Sequence, residues 1–184
     1  MGRQYKIHNP QAAYFFTFTV VQWIDAFSRQ TYRDVLLDSL RFCQQEKGLV
    51  VHAYCVMSNH VHLILRAEGH QLLSNIIRDI KKFTSAKIIA AIKQHPQESR
   101  KAWLLWMFAR AGQQNLNNRH YQFWQQHNHP IELYNPQIAR QKLDYIHQNP
   151  VAAGWVLSPE EYLYSSAKNY MGREEEALLV VELL

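Results

Sequence analysis

The chain has 184 residues, 47% of them hydrophobic, which is enough for one domain with a core that needs no disulfide or metal staple. Its six glycines (Gly2, Gly48, Gly69, Gly112, Gly154 and Gly172) lie far apart, excluding a Walker loop and a dinucleotide fingerprint, each of which needs several glycines in one turn. Two cysteines, Cys43 and Cys55, are too few for a zinc ribbon or a disulfide scaffold, and the formal net charge is +5. No apolar run approaches the ~18 residues of a membrane span. The N-terminus has no apolar signal region, and Lys6 breaks the myristoylation pattern that Gly2 would open. The expectation is a soluble cytoplasmic protein.

Alternation of Tyr14, Phe16 and Phe18 with Phe15, Thr17 and Thr19 predicts a first strand over 13–23. Val35, Leu36, Leu40 and Cys43 recur at helical spacing over 31–47, and Gly48 stands where a C-terminal cap belongs. Residues 49–57 are apolar and β-branched enough for a second strand. Ser58-Asn59 then supplies a tight turn, and 60–66 returns as a third strand. Helical periodicity follows over about 70–94 and again over 99–110, and 113–119 is a polar loop. The aromatic stretch 121–133 reads as a fourth strand interrupted near Pro130. Asn135-Pro136 opens a last main helix that should stop at Asn149-Pro150. A Ser-Pro turn at Ser158-Pro159, a short helix and an apolar end over 177–184 complete the chain. The order matches an α+β, ferredoxin-like βαββαβ antiparallel sheet with helices on one face and a further helix near the C-terminus. We expect a single domain over 1–172 with a helical insertion at about 94–118, followed by an acidic and apolar tail over 173–184.

The charge is unevenly spread. From Arg173 onward one arginine faces four glutamates, a local charge of −3, so the preceding residues carry +8. Between Arg78 and Lys101 seven cations face only Asp79 and Glu98. Such a stripe favours phosphate contact through counterion release, although a solvated helix face has the same composition. Lys81, Lys82 and Lys87 are the candidate DNA contacts, because cations at these helical spacings can follow a strand or stem.

In His60-Val61-His62, strand alternation puts both imidazoles on one face, with Val61, Leu63 and Leu65 on the other. The apolar set marks the burial side, so the histidines face something other than the main core, and two imidazoles on neighbouring same-face positions can converge on one cation. A His-x-His by itself is more often only a polar strand face. On the last main helix Tyr145 and Asn149 are four apart and share a face, so a phenol and an amide acceptor stand together. By itself that pair is ordinary packing and an ordinary helix stop.

Taken together, these elements resemble a known family. Tyr54-Cys55-Val56-Met57-Ser58-Asn59-His60-Val61-His62-Leu63-Ile64 resembles the His-hydrophobic-His (HUH) motif of single-tyrosine transposases. The stretch from Tyr145 through Asn149-Pro150 to Trp155 is similar to the second motif of their REP-associated tyrosine transposase branch, as are Ile80–Ser85, Phe123–Gln125 and Tyr164–Ser166. The resemblance spans roughly 13–170. It implies a DNA-nicking and -joining enzyme in which His60, His62 and Asn149 hold a divalent metal, Mg²⁺ or Mn²⁺, and Tyr145 is the nucleophile. Attack by Tyr145 would leave a 5′-phosphotyrosine and a free 3′-hydroxyl, and reversal would transfer the strand without a nucleotide cofactor. A free phenol ionises near ~10, so the cation or a nearby base must help. The implied partner is single-stranded or hairpin DNA. The insertion-sequence relatives act across a dimer, so the resemblance also admits a homodimer. Those relatives usually carry Gln where Asn149 stands, and residues 94–118 and the acidic end have no counterpart in them.

His52 and His127 are second-choice ligands or proton carriers, and His147, two residues from Tyr145, should point elsewhere. Two rival readings remain on the sequence: a non-catalytic nucleic-acid-binding protein on the same sheet, and a metal hydrolase with water as nucleophile.

Overall fold

The computed structural model describes residues 7–115 and 120–184; part of the expected polar loop and insertion, 116–119, lies outside them. Four strands, β1 (Tyr14–Thr19), β2 (Leu49–Val56), β3 (His60–Ala67) and β4 (Ile131–Glu132), form one antiparallel sheet in the order β2-β3-β1-β4. The helices are α1 (Gln30–Lys47), α2 (Leu73–Gln94), α3 (Lys101–Gln113), α4 (Pro136–Ala152) and the short α5 (Ala167–Tyr170). This is the expected α+β arrangement.

The pleat divides the sheet into two unlike faces. Tyr14, Phe16 and Phe18 of β1 and Val61, Leu63 and Leu65 of β3 are fully buried on the face covered by α2. There the Lys81 ammonium sits 5.3 Å over the Phe18 ring, and Trp124 donates to Thr84 of α2. α1 packs beside α2 in the same layer. The opposite face carries Phe15, Thr17, His60 and His62, and α4 crosses it, with Tyr145 against Phe15 and His62. The main core therefore lies under α1 and α2, and the histidines are on the face reserved for α4.

Gly48 closes α1 at φ +66°, with its N–H donated to the Cys43 carbonyl. A Cβ there would lie 2.2 Å from the Glu68 carbonyl oxygen, so only glycine lets β2 start beside the end of β3.

Three expected boundaries move. The first strand ends at Thr19 rather than Trp23, because Gln22 and Trp23 turn left-handed (φ 56° and 54°) and the chain folds back through Ile24 N–H to the Val21 carbonyl. The fourth strand shrinks to two residues plus a bridge between Val20 and Trp124; Phe123 and Trp124 pack inward against Phe27 and Phe18 instead of extending the ladder. The last main helix runs through Pro150 to Ala152. A proline forfeits its own N–H and its ring presses on the carbonyl four residues back, but here the helix is within a turn of its end: Ala153 N–H reaches the Asn149 carbonyl at 3.0 Å and left-handed Gly154 follows. Its start is as expected, with the Asn135 side chain accepting from Ile138 N–H at 2.8 Å.

The tail lies across the far edge of the sheet. Glu182 N–H donates to the Val51 carbonyl at 3.0 Å, and the Arg41 guanidinium donates to the Leu178 carbonyl. Leu179 is buried, so the tail contributes to the core despite its charge.

Candidate active site

β3 brings His60 and His62 to one face with ring centroids 4.7 Å apart. The strand register sets their neighbours, with Thr17 of β1 and Cys55 of β2 flanking His62 and Thr19 opposite His60. His62 is 3% exposed, stacks on Phe15 at 5.5 Å and meets the Thr17 hydroxyl through Nδ1 at 3.0 Å. Its Nε2 is buried and has no hydrogen-bond partner among the described residues. Burial, with the neighbouring His60 and Lys142 adding to it, pushes the His62 pKa down to about 3, so the ring is neutral at physiological pH. His60 is held at Nδ1 by the Asn59 side-chain oxygen at 2.6 Å, with Trp23 edge-on at 5.8 Å. Burial lowers its pKa too, and a hydrogen bond with the Asn149 side chain partly offsets this.

α4 supplies the third group. Ile146 is buried against the core, which turns Tyr145 across the sheet face, where its ring lies 5.0 Å from His62 and 6.0 Å from Phe15 while half of the residue stays open to solvent. Asn149, one turn on, donates a long 3.5 Å bond to the Tyr145 carbonyl and meets His60. Lys142, one turn back, holds its ammonium 5.0 Å over Phe15 and 5.8 Å over Tyr145. Two imidazoles, a phenol, an amide and an ammonium thus converge from β3 and α4.

The remaining sequence candidates stand elsewhere. His147 points away, bonded through Nε2 to the Ser166 hydroxyl at 2.9 Å. His52 bonds the Glu182 carbonyl in the tail, and His127 lies beside His129. Lys81, Lys82 and Lys87 belong to α2, across the sheet from Tyr145. Lys81 turns inward, its ammonium donating to the Gln125 carbonyl (2.6 Å) and the Asn128 side chain (2.5 Å), and burial lowers its pKa to about 8. Lys82 and Lys87 are exposed. With Arg78 and Lys93, Lys82 borders an open groove of about 1230 Å³ between α2 and residues 120–128.

Sequence reading missed Thr17, Asn59, Trp23 and Lys142. Lys142 carried a usable signal, three residues before Tyr145 on one helix face. Asn59 was assigned only to the turn. Thr17 and Trp23 depend on the β1–β3 register and a backbone reversal, which no local pattern announces.

The sheet order, the helix layer and the α4 face define an α+β fold with an imidazole pair and a tyrosine at its polar face. The family described as transposase, IS200-like, matches residues 11–110, more than half of the chain, and the chain belongs to that family. The matched stretch contains His60 and His62 and ends before Tyr145 and Asn149. Among solved structures, a REP-associated tyrosine transposase bound to a REP hairpin shares the fold with a TM-score of 0.67 at 18% identity, covering 100% of this chain and 94% of that one. A Deinococcus radiodurans protein described as a transposase aligns with a TM-score of 0.37 and 18% identity over 60% of this chain and 95% of that chain. No curated protein sequence matches. Among the described residues no helix is long and apolar enough to cross a membrane.

Proposed function

We propose that the protein cleaves and rejoins single-stranded DNA beside a hairpin, with Tyr145 as the nucleophile and His60, His62 and Asn149 as ligands of one divalent cation. One observation carries this reading: the Tyr145 ring lies 5.0 Å from His62, whose buried Nε2 has no partner among the described residues. A buried imidazole nitrogen without a partner is costly unless something outside the chain meets it.

The donor set fits a small divalent ion. Among the described residues no three His, Cys, Asp or Glu side chains cluster as a metal site. The proposed third donor is the Asn149 amide, whose side chain meets His60, giving two nitrogens and an oxygen, all neutral. Mg²⁺ or Mn²⁺ bound there would polarise the scissile phosphate and offset the charge that develops on it.

The chain's own groups do the rest. Tyr145, on the rigid α4, brings its phenolic oxygen to the phosphorus; the new O–P bond forms as the bond to the 3′ oxygen breaks, leaving a 5′-phosphotyrosine and a 3′-hydroxyl. The phenolic proton is released and the 3′ oxygen takes one up. Lys142 sets positive charge over the tyrosine ring, where it attracts the phosphate. Attack by another 3′-hydroxyl reverses the step and joins strands. Lys82 and Lys87 on the other face of the sheet are proposed phosphate contacts for flanking DNA, while the internal bonds of Lys81 give it a structural role as well. Residues 1–172 would form the catalytic domain, with 173–184 as its appended tail, acting as a monomer or a homodimer. A cytoplasmic setting agrees with two buried free cysteines.

The test is incubation with single-stranded hairpin DNA and Mn²⁺, followed by a denaturing gel. A protein–DNA adduct that Tyr145→Phe abolishes while binding persists supports the reading. Strand cleavage that survives Tyr145→Phe would make water the nucleophile, and binding without cleavage would make the protein a non-catalytic DNA binder.

A further inference from the structure

We propose that Asn59 and Thr17 are positioning residues that lock His60 and His62 in the tautomer with the proton on Nδ1, leaving Nε2 of each ring as the acceptor on the side of α4, where the Asn149 side chain meets His60 and the Tyr145 ring lies over His62. The inference rests on the reading of the two rings as a donor pair and assigns what holds them ready.

A neutral imidazole carries one N–H, and the partner of one nitrogen decides what the other can do. For His60 the partner is the Asn59 side-chain oxygen, 2.6 Å from Nδ1. A carbonyl oxygen only accepts, so Nδ1 must donate, and Nε2 keeps its lone pair. For His62 the partner of Nδ1 is the Thr17 hydroxyl at 3.0 Å, which can donate or accept. The other end of the ring decides. Its Nε2 is buried with no partner among the described residues. A proton there would be an orphaned buried donor, whereas a lone pair there can be met by an incoming cation. The Thr17 hydroxyl therefore accepts from Nδ1–H, and both rings present the same atom.

The fold fixes both locks from the backbone outward. Thr17 stands opposite His62 in the β1–β3 ladder, so its hydroxyl is placed by the strand register. Asn59 sits in the β2–β3 turn, where its own carbonyl accepts from Val20 N–H at 2.9 Å and the Ser58 carbonyl accepts from Phe27 N–H at 2.8 Å. The segment following β1 thus clamps the turn at two successive residues. The left-handed turn at Gln22 and Trp23 lies within that segment, and Trp23 closes over His60.

The experiment is a long-range ¹H–¹⁵N correlation spectrum of metal-free protein labelled with ¹⁵N-histidine, with the two rings assigned from His60→Gln and His62→Gln. Both rings should show the Nδ1–H tautomer. Asn59→Ala should shift His60 toward Nε2–H, and Asn59→Asp, which keeps the acceptor, should restore it. Thr17→Val should do the same to His62 and Thr17→Ser should restore it. Mn²⁺ titration should show affinity about 10–100-fold weaker in the Ala and Val variants and recovered in the conservative pair. An Nε2–H tautomer in either ring of the unaltered protein overturns the proposal, as do Ala and Val variants with unchanged tautomers. Nδ1–H tautomers that respond to the substitutions, in a protein that binds no Mn²⁺ and forms no adduct, would uphold the locks and overturn the functional reading.

Discussion

Acid should destabilise this protein through His147, a residue outside the proposed chemistry. Its ring is packed between α4 and the C-terminal segment, bonded to the Ser166 hydroxyl at 2.9 Å and edge-on to Tyr170 at 5.1 Å. Burial, only partly countered by Asp144, lowers its pKa from 6.5 to about 4. The folded state thus resists a proton that the unfolded chain accepts readily. Its contribution is fully present above about pH 6.5 and is lost as pH falls from there toward 4. At 1.36 kcal/mol for each tenfold change in proton affinity, the loss between pH 8 and pH 5 is about 2 kcal/mol. That is a large share of the ~5–15 kcal/mol by which domains are stable. His147→Gln keeps a polar group near Ser166 and cannot titrate. Urea unfolding at pH 8 and pH 5 should therefore show the unaltered protein losing about 2 kcal/mol more than the variant over that interval. Parallel losses in the two proteins would refute the reasoning, and so would a variant that loses more.

Four further outcomes can be measured. Lys81→Met leaves the Gln125 carbonyl and the Asn128 side chain without their shared donor, and should cost about 1–3 kcal/mol in chemical denaturation. Lys82→Ala should leave stability within about 0.5 kcal/mol and, if the α2 face meets DNA, lower the salt dependence of binding by nearly one counterion. Gln22→Gly removes a side chain from a left-handed position and should stabilise the fold by about 1 kcal/mol in the same assay. Glu98 has a fully buried side chain that accepts from Tyr32, Arg29 and the Arg100 N–H, so Glu98→Ala should cost about 3–5 kcal/mol, read as a fall in melting temperature.

The local patterns foretold most of the fold because each rests on short-range physics. Alternation set the two faces of β1 and β3, helical periodicity set α1 and α2, and Asn135-Pro136 and Gly48 marked helix ends through capping. The same alternation separated His60 and His62 from the core side, and helical spacing put Tyr145 and Asn149 together. Boundaries failed where tertiary contacts outweighed local preference: at Trp23, at the short β4, and at Pro150, which is buried inside α4. Among the lysines the sequence saw one charged stripe. The packing of residues 120–128 turned Lys81 inward and left Lys82 outside, because one helical position decides which ammonium can reach the Gln125 carbonyl.

The residue types and spacings alone determined that two imidazoles share a strand face and that a phenol and an amide share a helix face. Only the folded chain decided that these faces meet. α4 crosses the face of the sheet opposite α1 and α2, and Tyr145 comes to rest 5.0 Å from a histidine 83 positions earlier in the chain. The meeting depends on burying Ile146 and on the β1–β3 register, which are long-range packing choices. The supports for the imidazoles, Thr17 and Asn59, depend on the same choices, since neighbours across a sheet are set by pairing and not by order in the chain.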